Sequence, residues 1–204
     1  MVSGIIAVVI AYLLGSIPAA YIITRLRTGK DIRRVGGGNV GARNVFVEVG
    51  KVAGVAVGIF DVAKGAAAVA IAGWLLDAPE LFVLAAGLAV VVGHIWSVYL
   101  KFTGGNGLAT AIGVLSFLLT RELLIALAIT VLLIVIIRNT VLSVNISLLS
   151  VPVSAWFLEQ SWLLVLFSIV LLVIMVLNFL PNAIAKVGGK EHYIAELLRR
   201  DRAK

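Results

Sequence analysis

Val-Ser-Gly-Ile-Ile-Ala-Val-Val-Ile-Ala-Tyr-Leu-Leu-Gly-Ser-Ile-Pro-Ala-Ala-Tyr-Ile-Ile-Thr, running from Val2 to Thr24, decides the fold class. About 20 apolar residues cross a bilayer as a helix, and this run is long enough. Arg25, Arg27 and Lys30 follow it directly. A secretory signal peptide carries its basic residues before the apolar stretch. Here they come after it, which predicts a retained first span with its N-terminus outside and its basic end in the cytoplasm. Ser16 and Pro18, in the second half of the run, read as a helix contact or a mild kink.

The rest of the composition agrees. A chain of 204 residues that is 62% hydrophobic, with a mean hydropathy of +1.14, has too little polar surface to cover a water-soluble globule. The absence of cysteine removes disulfides and thiolate metal sites, and two histidines, His94 and His192, are too few for a dedicated zinc site. No metal or cofactor is expected.

Outward from the first span lies a loop, Arg25 to Lys51, with seven basic residues and the stretch Gly-Gly-Gly-Asn-Val-Gly-Ala-Arg-Asn, Gly36 to Asn44. It is too polar for hydrocarbon and too rich in glycine for a long helix. Bare backbone N–H groups among Arg33, Arg34 and Arg43 make the composition of an anion cradle. The second span, Val52 to Leu76, contains Asp61 and Lys64, three apart and so on one helical face. They are either an ion pair neutralising itself between helices or part of a functional site.

A third span, Leu81 to Leu100, ends with His94, Trp96 and Tyr99, and a second glycine-rich loop, Thr103 to Gly107, runs straight into the next helix. A glycine loop feeding a helix start suits phosphate. The remaining spans are expected at Leu108 to Thr120, Leu123 to Ile137, Val141 to Leu158 and Trp162 to about Leu180. The sixth carries Asn145, Ser147, Ser150 and Pro152, polar positions suited to hydrogen bonds between helices. The expected architecture is an all-α integral membrane protein of seven transmembrane helices, N-terminus outside and C-terminus cytoplasmic. Residues 1–185 form the membrane domain, and residues 186–204 a basic tail, either an amphipathic helix on an anionic surface or a frayed end.

Charge supports that topology. Of the 17 lysines and arginines, 15 fall in the segments assigned to the cytoplasm, Lys64 lies within a span, and Arg121 alone falls outside. Asp77, Glu80, Glu122 and Glu159 occupy the outer turns. The net charge of +7 is thereby explained by topology, without nucleic acid as a partner. Both glycine loops, Lys64 and His94 then converge on one membrane face, where phosphate-binding groups meet an apolar groove. The residues themselves point to an anionic amphiphile.

The chain also resembles a known family, the PlsY-type acyl-phosphate:glycerol-3-phosphate acyltransferases of bacterial membranes. The resemblance rests on Tyr12 to Pro18, Asp31-Ile-Arg33, Gly38 to Ala42 with Asn44, Asp61 with Lys64-Gly65, Gly93-His94, and Gly104-Gly105 with Gly107 to Thr110. It implies a multi-pass protein of the bacterial plasma membrane whose cytoplasmic loops move an acyl group from acyl phosphate to the 1-hydroxyl of glycerol 3-phosphate; a monomer is the expected state. The product is lysophosphatidic acid, and no coenzyme or metal takes part.

By the same resemblance Lys64, His94 and Asn39 would be the catalytic set. Lys64 supplies charge near a phosphate, and His94 is a polar contact at the pocket wall. Gly38, Asn39, Gly41 and Asn44 would shape the glycerol phosphate pocket, and Arg33 and Arg43, the latter standing where the family has a threonine, are expected among the substrate-binding residues. Gly104, Gly105, Gly107 and Thr110 would form the acyl-phosphate cradle, and Asn106, in the same loop, is expected to bind substrate.

Several positions depart from the family pattern. Gly37 replaces a serine, Arg43 a threonine, Thr103 and Asn106 two lysines, and Val47 an arginine. Asn139 and Thr140 blur a basic-aromatic turn, and Asn178 to Asn182 replaces a charged ending of the last span. Three readings stand: an acyltransferase with a rewired phosphate site, a paralogue that binds another anionic ligand, or a small transporter-like bundle.

Overall fold

The computed structural model describes residues 1–178, and the expected end of the seventh span and the basic tail lie outside the described residues. Every regular element described is helical. The first apolar segment is two helices, α1 (Val2–Ser16) and α2 (Ala19–Thr28). Pro18 has no N–H to continue the ladder and disfavours helical geometry in the residue before it. Ile17 is accordingly extended, at φ −60° and ψ 113°. The expected mild kink is therefore a full break. The segment also continues past Thr24, so Arg25 and Arg27 lie in the last turn of α2, where cations suit the carbonyl end of a helix.

The loop that follows contains a 3₁₀ turn, Ile32–Arg34, and a short helix α3 (Ala42–Glu48). Next comes α4 (Lys51–Ala70), which widens into a π turn at Ile71–Leu75. Helix α5 (Glu80–Ile95) ends earlier than the expected third span, and a 3₁₀ turn at Val98–Leu100 completes that segment. Helix α6 (Leu108–Leu118) has 11 residues, about half of what a crossing needs.

Helix α7 (Thr120–Ile137) begins earlier than expected, which corrects the placing of Arg121 and Glu122 in a turn. Glu122 is fully buried with neither carboxyl oxygen hydrogen-bonded among the described residues, while Arg121 reaches Glu159 at 2.6 Å. The sixth segment divides into α8 (Thr140–Ser147) and α9 (Ser150–Glu159). Pro152 denies the Leu148 carbonyl its helical partner, and Val151 N–H caps that carbonyl instead, at 3.1 Å. Helix α10 (Trp162–Asn178) is the last element described.

Among the described residues five helical segments are long and apolar enough to span a membrane: Val2–Thr28, Lys51–Leu75, Glu80–Leu100, Thr120–Ile137 and Leu142–Glu159. Helices α6 and α10 are apolar but shorter. Helix α1 packs along α5, α4 along α6, and α7 against α8 and α9. The first two pairs approach at glycine: a β-carbon on Gly93 would strike the Tyr12 carbonyl, and one on Gly113 the Val62 carbonyl. The main core includes Ala7, Ala68, Val90, Val91, Val114 and Leu115. A second cluster, with Ile32, Val40, Val45, Val57 and Leu100, fastens the first glycine loop onto α4. That cluster positions the site.

Candidate functional site

The break at Pro18 frees two carbonyls in mid-segment, and both are used. Ser97 Oγ donates to the Ser16 carbonyl at 2.6 Å, and Lys64 Nζ donates to the Ile17 carbonyl at 3.2 Å. Lys64, on α4, also lies 2.8 Å from Asp61 Oδ1 and 2.9 Å from His94 Nδ1. An ammonium has three protons to donate, so these three partners occupy it fully. The Asp61 and Lys64 side chains are only 3% and 2% exposed, which a membrane interior tolerates because each charge is paired and hydrogen-bonded. The pair predicted from spacing is thus a three-helix junction of α1, α4 and α5.

The second glycine loop is laid directly on His94. Gly105 N–H donates to the His94 carbonyl at 3.1 Å, and a β-carbon on Gly105 would strike the imidazole at Nε2. Only glycine permits that approach. Asn178, at the end of α10, donates to the Gly105 carbonyl at 3.2 Å and anchors the loop from the other side. Gly107, with φ +82°, turns the chain into α6.

The first loop is organised by Asn44. Its amide donates to the carbonyls of Ile32, Val35 and Asn39 at 3.0 to 3.3 Å, and its oxygen accepts Gly37 N–H at 3.2 Å. Arg33 joins the two loops. Its guanidinium meets Asp31 at 2.7 Å, Thr103 Oγ1 at 3.2 Å and the face of Tyr21 at 5.5 Å. The Arg33 hydrogen bond holds the Asp31 carboxyl down at about 2, and Asp31 in turn raises the guanidinium. Thr103 is the acceptor that makes this bridge.

Between the loops opens a cleft of about 460 Å³, within the usual range for a small-ligand site. Asn39, Gly41, Arg43, Asn44, His94, Asn106 and Gly107 line it, together with an apolar wall of Val47, Leu108, Ala109 and Met175. Arg43 is the only lysine or arginine in that lining, and it makes no ion pair or hydrogen bond with the described residues. The carboxamides of Asn39 and Asn106 are likewise without partners among the described residues. Arg33, Gly38, Lys64, Gly104, Gly105 and Thr110 do not line the cleft; Thr110 is fully buried, its backbone against Gly65 of α4. Among the described residues no three of His, Cys, Asp and Glu converge as metal ligands would.

Spacing alone missed the Ile17 carbonyl, Ser97 and Asn178, and gave no sign that Glu48, Asn145 and Met175 reach the cleft. The available signal was Pro18, because a proline inside an apolar run must expose carbonyls to some partner.

Residues 5–187 match the family model described as glycerol-3-phosphate acyltransferase. Glycerol-3-phosphate acyltransferase 1 of Dehalococcoides mccartyi is 42% identical over 85% of this chain and 86% of its own length. Glycerol-3-phosphate acyltransferase 2 of Moorella thermoacetica is 37% identical over 94% and 98%. The crystal structure of PlsY, an integral membrane glycerol 3-phosphate acyltransferase, in its glycerol 3-phosphate form, superposes with a TM-score of 0.82 at 30% identity, covering 92% of this chain and 93% of that one. Its lysophosphatidic acid form gives a TM-score of 0.80 at 28% identity, over the same shares.

Proposed function

Because this chain belongs to the glycerol-3-phosphate acyltransferase family, we propose that the cleft between its two glycine loops holds glycerol 3-phosphate beside an acyl phosphate donor. The protein is a multi-pass membrane glycerol-3-phosphate acyltransferase. The observation that carries the donor and site assignment is the make-up of the cleft. Arg43 and the carboxamides of Asn39 and Asn106, without partners among the described residues, line one cavity together with an apolar wall, and a substrate pair with phosphate groups and a fatty chain requires both kinds of surface.

In this reading the 1-hydroxyl oxygen of glycerol 3-phosphate attacks the acyl carbonyl carbon, and the bond from that carbon to the phosphate oxygen breaks. The hydroxyl proton leaves with inorganic phosphate, and lysophosphatidate remains. Arg43 supplies the free cation for a phosphate, and Asn39 and Asn106 orient the two substrates. Gly41, Asn44 and Gly107 shape the cleft wall. Gly38, Gly104, Gly105, Arg33 and Thr110 act one layer back by fixing the loops, and Lys64 acts through His94. The work of the site is alignment and charge stabilisation.

The full proposal includes seven crossings, the N-terminus outside, a cytoplasmic C-terminus, a monomer and the bacterial plasma membrane. It is supported by the 15 of 17 basic residues that then collect on one side. The test is an assay of purified protein with acyl phosphate and glycerol 3-phosphate, following phosphate and lysophosphatidate. Arg43→Ala is expected to raise a substrate KM by roughly 10- to 100-fold with the fold intact, since a charge-assisted contact contributes about 1.5–3 kcal/mol. No product from the unaltered protein, with an active relative run alongside, refutes the acyl phosphate reading.

A further inference from the structure

We propose that Lys64 fixes His94 in the tautomer protonated on Nε2, so that His94 serves acyl transfer as a hydrogen-bond donor and not as a base. The inference rests on the acyl-transfer reading of the cleft. Lys64 Nζ has three neighbours: Asp61 Oδ1 at 2.8 Å, His94 Nδ1 at 2.9 Å and the Ile17 carbonyl at 3.2 Å. A carboxylate and a carbonyl can only accept, so two ammonium protons go to them and the third points at Nδ1.

The reverse arrangement needs a neutral lysine receiving a proton from the ring. A neutral lysine would leave the Asp61 carboxylate, 2.8 Å away, without its counter-charge in a buried site. A ring protonated at both nitrogens would direct one N–H head-on at an ammonium. The Asp61 oxygen, 3.5 Å from Nδ1, is too distant to compete with the amine. Nδ1 therefore accepts, and the proton of the neutral ring sits on Nε2.

Nε2 faces the second glycine loop. It lies against Gly105, and it makes no hydrogen bond with the described residues. His94 also lines the cleft. With no partner among the described residues, that N–H is left for an oxygen that gains negative charge during transfer, whether of the acyl carbonyl or of the phosphate. Among the described residues the charged groups around the ring are Asp61 and Lys64 on α4, with Arg43 and Glu48 of α3 lining the same cleft. Lys64 is in this sense a positioning residue.

The first test is nitrogen NMR of the full chain in detergent with 15N-labelled histidine, using His192→Gln so that one imidazole remains. The expected result is a protonated Nε2 and a bare, accepting Nδ1, unchanged from about pH 5.5 to about pH 8.5, where free imidazole titrates. Asp61→Asn combined with Lys64→Met, which strands no charge, is expected to release the ring to titrate or mix tautomers. A proton on Nδ1 in the unaltered chain, or a ring that titrates there, overturns the assignment to Lys64.

The second test is turnover. His94→Gln, whose amide reproduces the Nε2–H donor, is expected to keep kcat within about tenfold of the parent, and His94→Phe to lose roughly 100-fold or more. Equal losses in both overturn the donor role. An unaltered protein that shows the expected tautomer but no turnover refutes the acyl-transfer reading, and the donor role with it, so the two failures are distinguishable.

Discussion

Ser97 Oγ donates a 2.6 Å hydrogen bond to the carbonyl of Ser16, and both residues are buried. The bond exists because Pro18 ends α1 one turn too early for that carbonyl to find a helical partner. It ties the end of α5 to the break in α1, next to the Ile17 carbonyl that Lys64 uses.

Ser97→Ala leaves the Ser16 carbonyl unpaired in a buried site. The expected cost is about 1–3 kcal/mol, read as a lower Tm in detergent, with reduced activity because the acceptor for Lys64 shifts. A Tm equal to that of the parent would show that this bond contributes nothing.

Two glycines test the loops by contrast. A β-carbon on Gly105 meets both His94 Nε2 and the Val40 carbonyl, whereas one on Gly37 meets nothing within 4 Å. Gly105→Ala is expected to lower Tm and cut turnover by about 100-fold or more through displacement of the imidazole. Gly37→Ala, or Gly37→Ser, is expected to leave Tm in place. Thermal scans of the three variants settle the comparison.

The Asp31–Arg33 clamp sets a pH dependence. The Asp31 carboxyl is depressed to about 2 by its hydrogen bond from Arg33, so the contribution is complete above the ordinary aspartate value near 4 and is lost as pH falls through about 2. Bridging of the two loops through Arg33 and Thr103 is therefore constant across neutral pH. Carboxyl NMR is expected to give Asp31 a midpoint near 2, and Arg33→Ala to return it towards 4.

Glu122 is fully buried and neither carboxyl oxygen has a hydrogen bond among the described residues. Glu122→Met keeps much of the volume and removes the polar burden, and it is expected to raise Tm, since replacing an unsatisfied buried polar group by an apolar one stabilises by about 1–3 kcal/mol. A lower Tm would reveal a partner for the carboxyl.

Much of the site was visible as a list of residue types and little of it as contacts. Asp61 and Lys64 were paired from their spacing, because a helix places residues three apart on one face. His94 was linked to them by the shared membrane side, but its contact with Lys64 depends on how α5 leans on α4. Arg43 and Lys64 looked equivalent as cations, yet one is unpaired in a cleft and the other is fully engaged.

What the sequence by itself determined is the helical, membrane-embedded character of the chain and the position of its two glycine loops. Apolar length and glycine content act locally, so they read directly from the order of residues. The tertiary structure decided where helices break, how short α6 is, that Glu122 is buried, and which donors remain free at the cleft. Those outcomes depend on partners far away in sequence: Ser97 finds Ser16 and Lys64 finds Ile17 only once α1, α4 and α5 are packed. Once those three helices meet, Lys64 has an acceptor for each of its three protons.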